Sequence, residues 1–286
     1  LAQHFNRPGH NIVDHYTYVI ASDGDMMEGV SSEASSIAGH LGLSKLICFY
    51  DDNHITIEGC TDLAFSEDVC KRYEAYGWHI QRLDDDADVD DISKAIENAQ
   101  AEKGKPSLIA IRTHIACGSP NKQDTASAHG EPLGEEEILL TKKNLGWESE
   151  EPFYVPEKAL EHFHQALNKG YESESKWDEH FEAYAKEYPD LAKEWHSFMH
   201  KEYSDDWKKA IPVFTKDDKP IATRSASGKV LNAIASHIPN LVGGSADLAP
   251  STKTNMDKFG SITRDDFSGR NMHFGIREHG MGAIVN

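Results

Sequence analysis

Two short acidic turns carry residue types able to hold a metal ion. The first is Ser22-Asp-Gly-Asp25 and the second is Asp51-Asp-Asn53; Asp23 and Asn53 stand 30 residues apart (53 − 23). Asp23 offers a carboxylate and Asn53 an amide oxygen, and the bend after Asn53 can turn a main-chain carbonyl inward. Hard oxygen donors with no thiolate or imidazole among them suit Mg2+ or Ca2+ better than zinc. A Mg2+ ion with so few protein ligands completes its shell with water and a ligand's phosphates. Gly24 lets the backbone approach such a ligand closely, and the N-terminus of a following helix favours anions. Taken singly, both stretches are also ordinary turns, because turns favour these residues for their own reasons.

The elements that would position these turns are legible around them. Tyr16-Thr-Tyr-Val-Ile-Ala21 is aromatic and β-branched and reads as a buried parallel strand. Glu28 to Leu41 has Val30, Ile37, Ala38 and Leu41 at helical spacing, and Gly42 stops that helix. Leu46-Ile-Cys-Phe-Tyr50 is a second apolar strand, which completes a right-handed βαβ unit. In open α/β sheets ligands sit beyond the carboxyl ends of the strands, where both acidic turns fall. Downstream, Ser66 to Tyr76 reads as a helix capped by Ser66, Trp78 to Arg82 as a third strand, and Val89 to Glu102 as a helix with Ile92, Ala95, Ile96 and Ala99 on one side. The nearly all-apolar Ser107 to Arg112 reads as a central strand. A long polar loop follows it, and His129 falls there among small residues, at a strand end where functional loops concentrate. Glu135 to Leu145 reads as a helix, with Trp147 packing against the domain.

Beyond Pro152 the composition turns rich in Glu, Lys, His and aromatics. It predicts two or three amphipathic helices, broken at Gly170 and Pro189, with the aromatics as packing residues. Ile221 onward opens a second domain: a helix capped by Ser225 or Ser227 and reaching Ala235, then Leu241 to Asp247 as a strand ending in small residues. The domain boundaries implied are 1–150, 151–215 and 216–286. A net charge of −19 argues against nucleic acid or an anionic membrane as the main partner. No apolar run is long enough to span a bilayer and no signal peptide is evident. The four cysteines form no C-x-x-C pair, and a reduced, cytoplasmic setting is the simplest expectation. Leu1 opens inside what reads as a helix and Asn286 closes after the first turns of another, so the sequence reads as an internal stretch of a longer polypeptide.

The spacing of Asp23 and Asn53 resembles the thiamine diphosphate motif, a G-D-G followed after about thirty residues by an asparagine turn. More narrowly, DGDMMEG, SSEASSIAGHLGL and YDDNHITIEG resemble transketolase, and the likeness extends over essentially the whole chain. The resemblance implies an α/β thiamine diphosphate-binding fold: a parallel sheet flanked by helices, a helical linker, and the start of a second α/β domain. It implies that Asp23, Asn53 and the carbonyl of Ile55 hold Mg2+, with Ca2+ or Mn2+ as substitutes, and that the metal grips the cofactor diphosphate. Gly24 and Glu28 would lie beside the cofactor, Glu28 near a dimer interface. Ile115 would pack near the cofactor, and His129 would reach the diphosphate and the substrate. In the second domain Arg224 and Ser251 match positions that hold the substrate's phosphate, which Arg suits through its fixed fork of donors. Asp247 matches a residue near the cofactor, and Glu278, in G-I-R-E-H, the carboxylate that bonds the aminopyrimidine ring.

The activity implied is transfer of a two-carbon ketol group from a ketose phosphate such as xylulose 5-phosphate to an aldose phosphate such as ribose 5-phosphate, in the pentose phosphate pathway. A homodimer with its site at the subunit interface goes with it, and the 286 residues alone are expected to be inactive. The alternatives are dihydroxyacetone synthase, a phosphoketolase, or a non-catalytic acidic scaffold. The chain departs from the family pattern at Ser22 and Ala116, where Gly is common, and at Asp25, where an uncharged residue is common. A carboxylate at 25 would repel a diphosphate unless it points away.

Overall fold

The computed structural model describes all 286 residues. The chain divides into two compact units, residues 15–163 and residues 1–14 with 164–286. In chain order the elements are α1 (Ala2–Phe5), β1 (Thr17–Ser22), α2 (Asp23–Met27), α3 (Gly29–Leu41), β2 (Leu46–Asp52), α4 (Val69–Ala75), β3 (His79–Leu83), α5 (Val89–Ala101), β4 (Ser107–Arg112), α6 (Ser127–Gly130), α7 (Glu135–Asn144), α8 (Glu157–Glu187), α9 (Pro189–His200), α10 (Asp206–Ala210), α11 (Thr223–Ala235), β5 (Gly243–Ser245), α12 (Ala249–Thr252), β6 (Asn271–His273) and α13 (Glu278–Val285). No helix is long and apolar enough to cross a membrane.

In the unit 15–163 four parallel strands lie in the order β1-β2-β4-β3. The apolar run of β4 is central, as its composition predicts, with Leu108 and Ile109 fully buried. Helices flank the sheet, the expected architecture. Met26, Ala38, Tyr50, Val69, Tyr73, Trp78 and Leu108 pack on one side, and Ile47, Ala95, Ala99 and Ile109 on the other. Gly42 ends α3 in the left-handed conformation at φ 64°, as expected of a C-terminal stop. The approach of α3 to the end of α4 depends on Gly39: a β-carbon there would lie 1.9 Å from the Tyr76 carbonyl oxygen.

Several expectations are corrected. β1 is not buried: it is the sheet's edge, and Tyr18, Val19 and Ile20 are exposed because no strand of the chain covers its outer side. Helix α4 is capped by Asp68, whose carboxylate accepts the Lys71 N–H, and not by Ser66. Trp147 is half exposed. Gly170 does not break α8, whose 31 residues run through it. One glycine costs a helix about 1 kcal/mol, which a long helix absorbs. Only Pro189 ends the run, and α9 starts on it.

The unit of residues 1–14 and 164–286 has two parts. Phe5, Ile12 and Val13 pack with Phe181, Tyr184 and Ala192, with Trp195 and Phe198 around them. The Trp177 indole N–H donates to the Ile12 carbonyl and the Tyr184 hydroxyl to the Phe5 carbonyl; Tyr184 is core, as expected, whereas Trp177 stacks on Phe181 at the cluster's exposed edge. Phe153, by contrast, is fully exposed. The second part holds the parallel pair β5–β6, with Gly244 packed so closely that an added β-carbon would lie 1.8 Å from the Met272 carbonyl oxygen. Helix α11 starts without a side-chain cap from Ser225 or Ser227. All four cysteines are free; Cys48 and Cys70 are buried, Cys60 and Cys117 exposed. Burial, with the nearby charge of Asp25, pushes the Cys48 thiol up to about 12.

Candidate functional site

The strands β1, β2 and β4 end in register, Ser22 opposite Asp51, Asp51 opposite Ile111 and Asp52 opposite Arg112. The turns that follow them therefore leave the sheet side by side, at the edge where α/β sheets bind ligands. They are also bonded together. Arg112 Nη1 donates to the Asp52 carbonyl at 2.8 Å, Thr113 N–H to the same carbonyl at 3.2 Å, and the Thr113 hydroxyl to the Asp51 carboxylate.

Asp23 is the first residue of α2 and only 2% exposed. Its Oδ1 accepts the Tyr50 hydroxyl at 2.6 Å and its Oδ2 the His54 N–H at 2.9 Å. No lysine, arginine or histidine pairs with it, so a buried carboxylate stands without a counter-charge from the chain, an arrangement that calls for a cation from outside. Asn53 is likewise buried, and its Oδ1 accepts the Ile55 N–H at 2.9 Å. His54 between them has φ 62°, a left-handed conformation uncommon outside glycine, which brings its N–H onto Asp23. The structure thus brings Asp23, after β1, beside Asn53 and Ile55, after β2, through the His54 N–H. Nowhere do three or more His, Cys, Asp or Glu side chains gather as a metal cage. One carboxylate, one amide and a main-chain carbonyl fit Mg2+ whose remaining ligands are water and phosphate oxygens.

The remaining residues of the first turn are accounted for. Asp25 Oδ2 accepts the Ser22 N–H at 2.8 Å and the Ser22 hydroxyl at 3.3 Å, a reciprocal cap on α2. The two departures from the family pattern at 22 and 25 therefore satisfy each other, Ser22 engaging one oxygen of the Asp25 carboxylate. Gly24 is exposed, with open space where a β-carbon would sit, so a ligand can lie against its backbone. The stretch expected as a turn is helical, and Glu28 is the exposed, extended residue at which α2 gives way to α3.

The loop after β4 holds Ile115, half-buried, and His129, exposed on the one-turn helix α6. Ala116 and Asp124 both lie at positive φ, 52° and 57°. The loop is fastened by a residue that no sequence motif singles out. Glu137, in the first turn of α7 and buried, accepts the Ser119 hydroxyl, the Asn121 N–H at 2.9 Å and Asn121 Nδ2 at 2.9 Å. These hydrogen bonds, Ser119's first among them, hold its carboxyl below the usual glutamate range. Tyr50 was also missed, although strand alternation places it on the same face of β2 as Asp52.

In the other unit Asp247 follows β5 at φ 65°, and it lines a cavity of about 770 Å3 with Ser225, Lys229, Ser245, Pro250 and Lys253. Arg224 lies in the first turn of α11, Ser251 in α12, and Glu278 is the first residue of α13; all four are exposed.

Residues 1–204 match the model of the transketolase thiamine diphosphate-binding domain, and residues 219–286 that of the transketolase pyrimidine-binding domain. The transketolase of Nostoc sp. is 49% identical over the whole chain and that of Bacillus subtilis 46%; the chain covers 43% of each. Among solved structures, a transketolase complex with sedoheptulose 7-phosphate from Pichia stipitis superimposes with a TM-score of 0.95 at 42% identity, covering 99% of this chain and 43% of that one. The transketolase of Leishmania mexicana gives 0.95 at 40% identity, with 42% of it covered. The chain belongs to the transketolase family, and it spans about two fifths of the length of the relatives it matches.

Proposed function

We propose that this chain provides the metal–diphosphate side and part of the pyrimidine side of a transketolase, a transferase that moves a two-carbon ketol group between sugar phosphates. Family membership makes the reading, and the buried Asp23, unpaired with any basic side chain and bonded to the asparagine turn by the His54 N–H, is the observation that carries it. Residues 1–150 hold the diphosphate, 151–215 connect, and 216–286 open the pyrimidine side. Thiamine diphosphate, when bound, supplies the electron sink that lets a carbon–carbon bond of a ketose break and re-form.

The residues act around that group. Asp23, Asn53 and the Ile55 carbonyl ligate Mg2+, and Gly24 lets the diphosphate lie against the backbone. Ile115 packs on the cofactor and His129 donates to diphosphate and substrate oxygens. Glu278 would hold the aminopyrimidine through its carboxylate, the group able to give and take a proton there, with Asp247 nearby. Arg224 and Ser251 take the substrate's phosphate, Arg224 through its fork of donors. A homodimer with the site at the subunit interface, in which Glu28 lies, completes it. The donor is a ketose phosphate such as xylulose 5-phosphate and the acceptor an aldose phosphate such as ribose 5-phosphate, an activity of the pentose phosphate pathway. Four unpaired thiols support a reducing compartment, the cytoplasm.

The test is calorimetric titration of thiamine diphosphate, with and without Mg2+, into the whole polypeptide encoded by the reading frame, beside Asp23→Ala. Mg2+-dependent binding abolished by Asp23→Ala is the expected result. No binding in the unsubstituted protein would remove the cofactor from the proposal.

A further inference from the structure

Tyr50 occupies a place in the acidic turns that coordination by Asp23 and Asn53 does not explain. Its ring is in the core, 4% exposed, and its hydroxyl reaches out of the core between two carboxylates. The oxygen stands 2.6 Å from Asp23 Oδ1 and 3.1 Å from Asp52 Oδ1. A phenol has one hydrogen to give, and the shorter contact receives it. Asp52 is supplied from the other side, by His54 Nε2 at 3.1 Å from the same Oδ1. The His54 main chain closes the circuit by donating to Asp23 Oδ2. Tyr50, Asp23, His54 and Asp52 thus form a ring of contacts whose hydrogen bonds run from Tyr50 through Asp23 and His54 to Asp52, so that Asp23 is held at both oxygens and Asp52 keeps the His54 side chain in place.

We propose that Tyr50 is the positioning residue for Asp23, its hydroxyl fixing the carboxylate in the orientation that a divalent cation requires before the cation arrives. The assignment rests on the metal–diphosphate reading above. Each Asp23 oxygen spends one lone pair on a chain donor and keeps another for the ion. Without the hydroxyl, only the His54 N–H restrains the carboxylate, and rotation about the side chain moves both oxygens off the metal position. The ring also links the turn after β1 to the turn after β2, so Asp23 and Asn53 are presented in fixed relation.

Groups that orient metal ligands through hydrogen bonds are worth about 10–100-fold in metal affinity. The experiment is Mn2+ titration of the whole polypeptide with thiamine diphosphate present, followed by the paramagnetic resonance of the free ion, on the unsubstituted protein, Tyr50→Phe and Asp23→Ala. Tyr50→Phe keeps the ring in the core; its far-UV circular dichroism and melting in EDTA check the fold. We expect Asp23→Ala to abolish cofactor-dependent Mn2+ binding and Tyr50→Phe to weaken it about 10–100-fold. A loss of packing alone would lower the melting midpoint and leave the cation constant in place. Asp52→Asn removes the second carboxylate charge beside the hydroxyl and spares the hydroxyl itself, so it should cost less than about tenfold; a loss of about tenfold or more overturns the assignment to Tyr50, and this limit decides the matter should Tyr50→Phe fail to fold. A Tyr50→Phe constant equal to that of the unsubstituted protein refutes the positioning role while the metal site stands. Absence of cofactor-dependent binding in the unsubstituted protein refutes the metal reading itself.

Discussion

Asp23 and Glu278 are both carboxylates on the first residue of a helix, yet the chain treats them in opposite ways. Asp23 is buried and bonded at both oxygens, to the Tyr50 hydroxyl and the His54 main-chain N–H, which ties two strand ends together. Glu278 stands exposed at the start of α13, as do Arg224 in α11 and Ser251 in α12. A metal tolerates little error in ligand position, so its ligands are fixed by the fold in advance. Groups that meet a cofactor ring or a sugar phosphate find their partners in the ligand itself, or in a second subunit, and the fold only needs to place them. The first kind of residue is costly to change even without ligand; the second is silent until a ligand is present.

Breaking the rigid side should show first as lost stability. Gly39→Ala puts a β-carbon into the Tyr76 carbonyl and should destabilise residues 15–163 by about 3 kcal/mol. Hydrogen exchange should report protection lost in β1–β4 and kept in the aromatic cluster around Tyr184; equal loss in both would mean the units do not melt separately. Acid should act on the same side through Glu137. Its carboxyl is held below the ordinary value, so its contribution is whole above about pH 4.3 and is lost as pH falls through the folded-state pKa. The melting midpoint should therefore drop below that pH more steeply in the unsubstituted protein than in Glu137→Gln, and parallel curves would show that Glu137 does not anchor the loop by charge. Ala116→Gly sharpens the comparison in the other direction. It relieves a left-handed alanine and should stabilise by about 1 kcal/mol in urea unfolding. On the exposed side, Arg224→Ala and Ser251→Ala should leave stability within about 0.5 kcal/mol while weakening phosphorylated sugars and sparing unphosphorylated ones. A large loss of stability in either would place these residues with the rigid kind.

The same contrast governs what the sequence could disclose. The central strand β4, the α5 face through Ala95 and Ala99, and the Gly42 stop were legible because period and local turn chemistry determine them. The two acidic turns proposed to hold the metal were legible as residue types at a spacing, but not the bonding between them. Tyr50 read as a strand apolar, and only the register of β1 beside β2 turns its hydroxyl into a partner of Asp23. Glu137 is one of three consecutive glutamates, and nothing local distinguishes it from Glu135 or Glu136. The exposure of β1 was hidden because the sequence of a strand does not reveal whether a neighbour covers it. The continuity of α8 through Gly170 was hidden because one unfavourable residue carries little weight in a long helix.

The distribution of thiols equips the molecule with its own reporters. Cys48, its proton held by burial, and Cys70, also buried, stay dark to alkylating reagents at neutral pH. Cys60 and Cys117 are open, and they sit on the two loops in question: Cys60 pairs with Ile55 across the turn after Asn53, and Cys117 follows Ala116 in the loop fastened by Glu137. A maleimide clock run with and without cofactor would report the accessibility of each loop separately, with no cysteine needing to be added or removed.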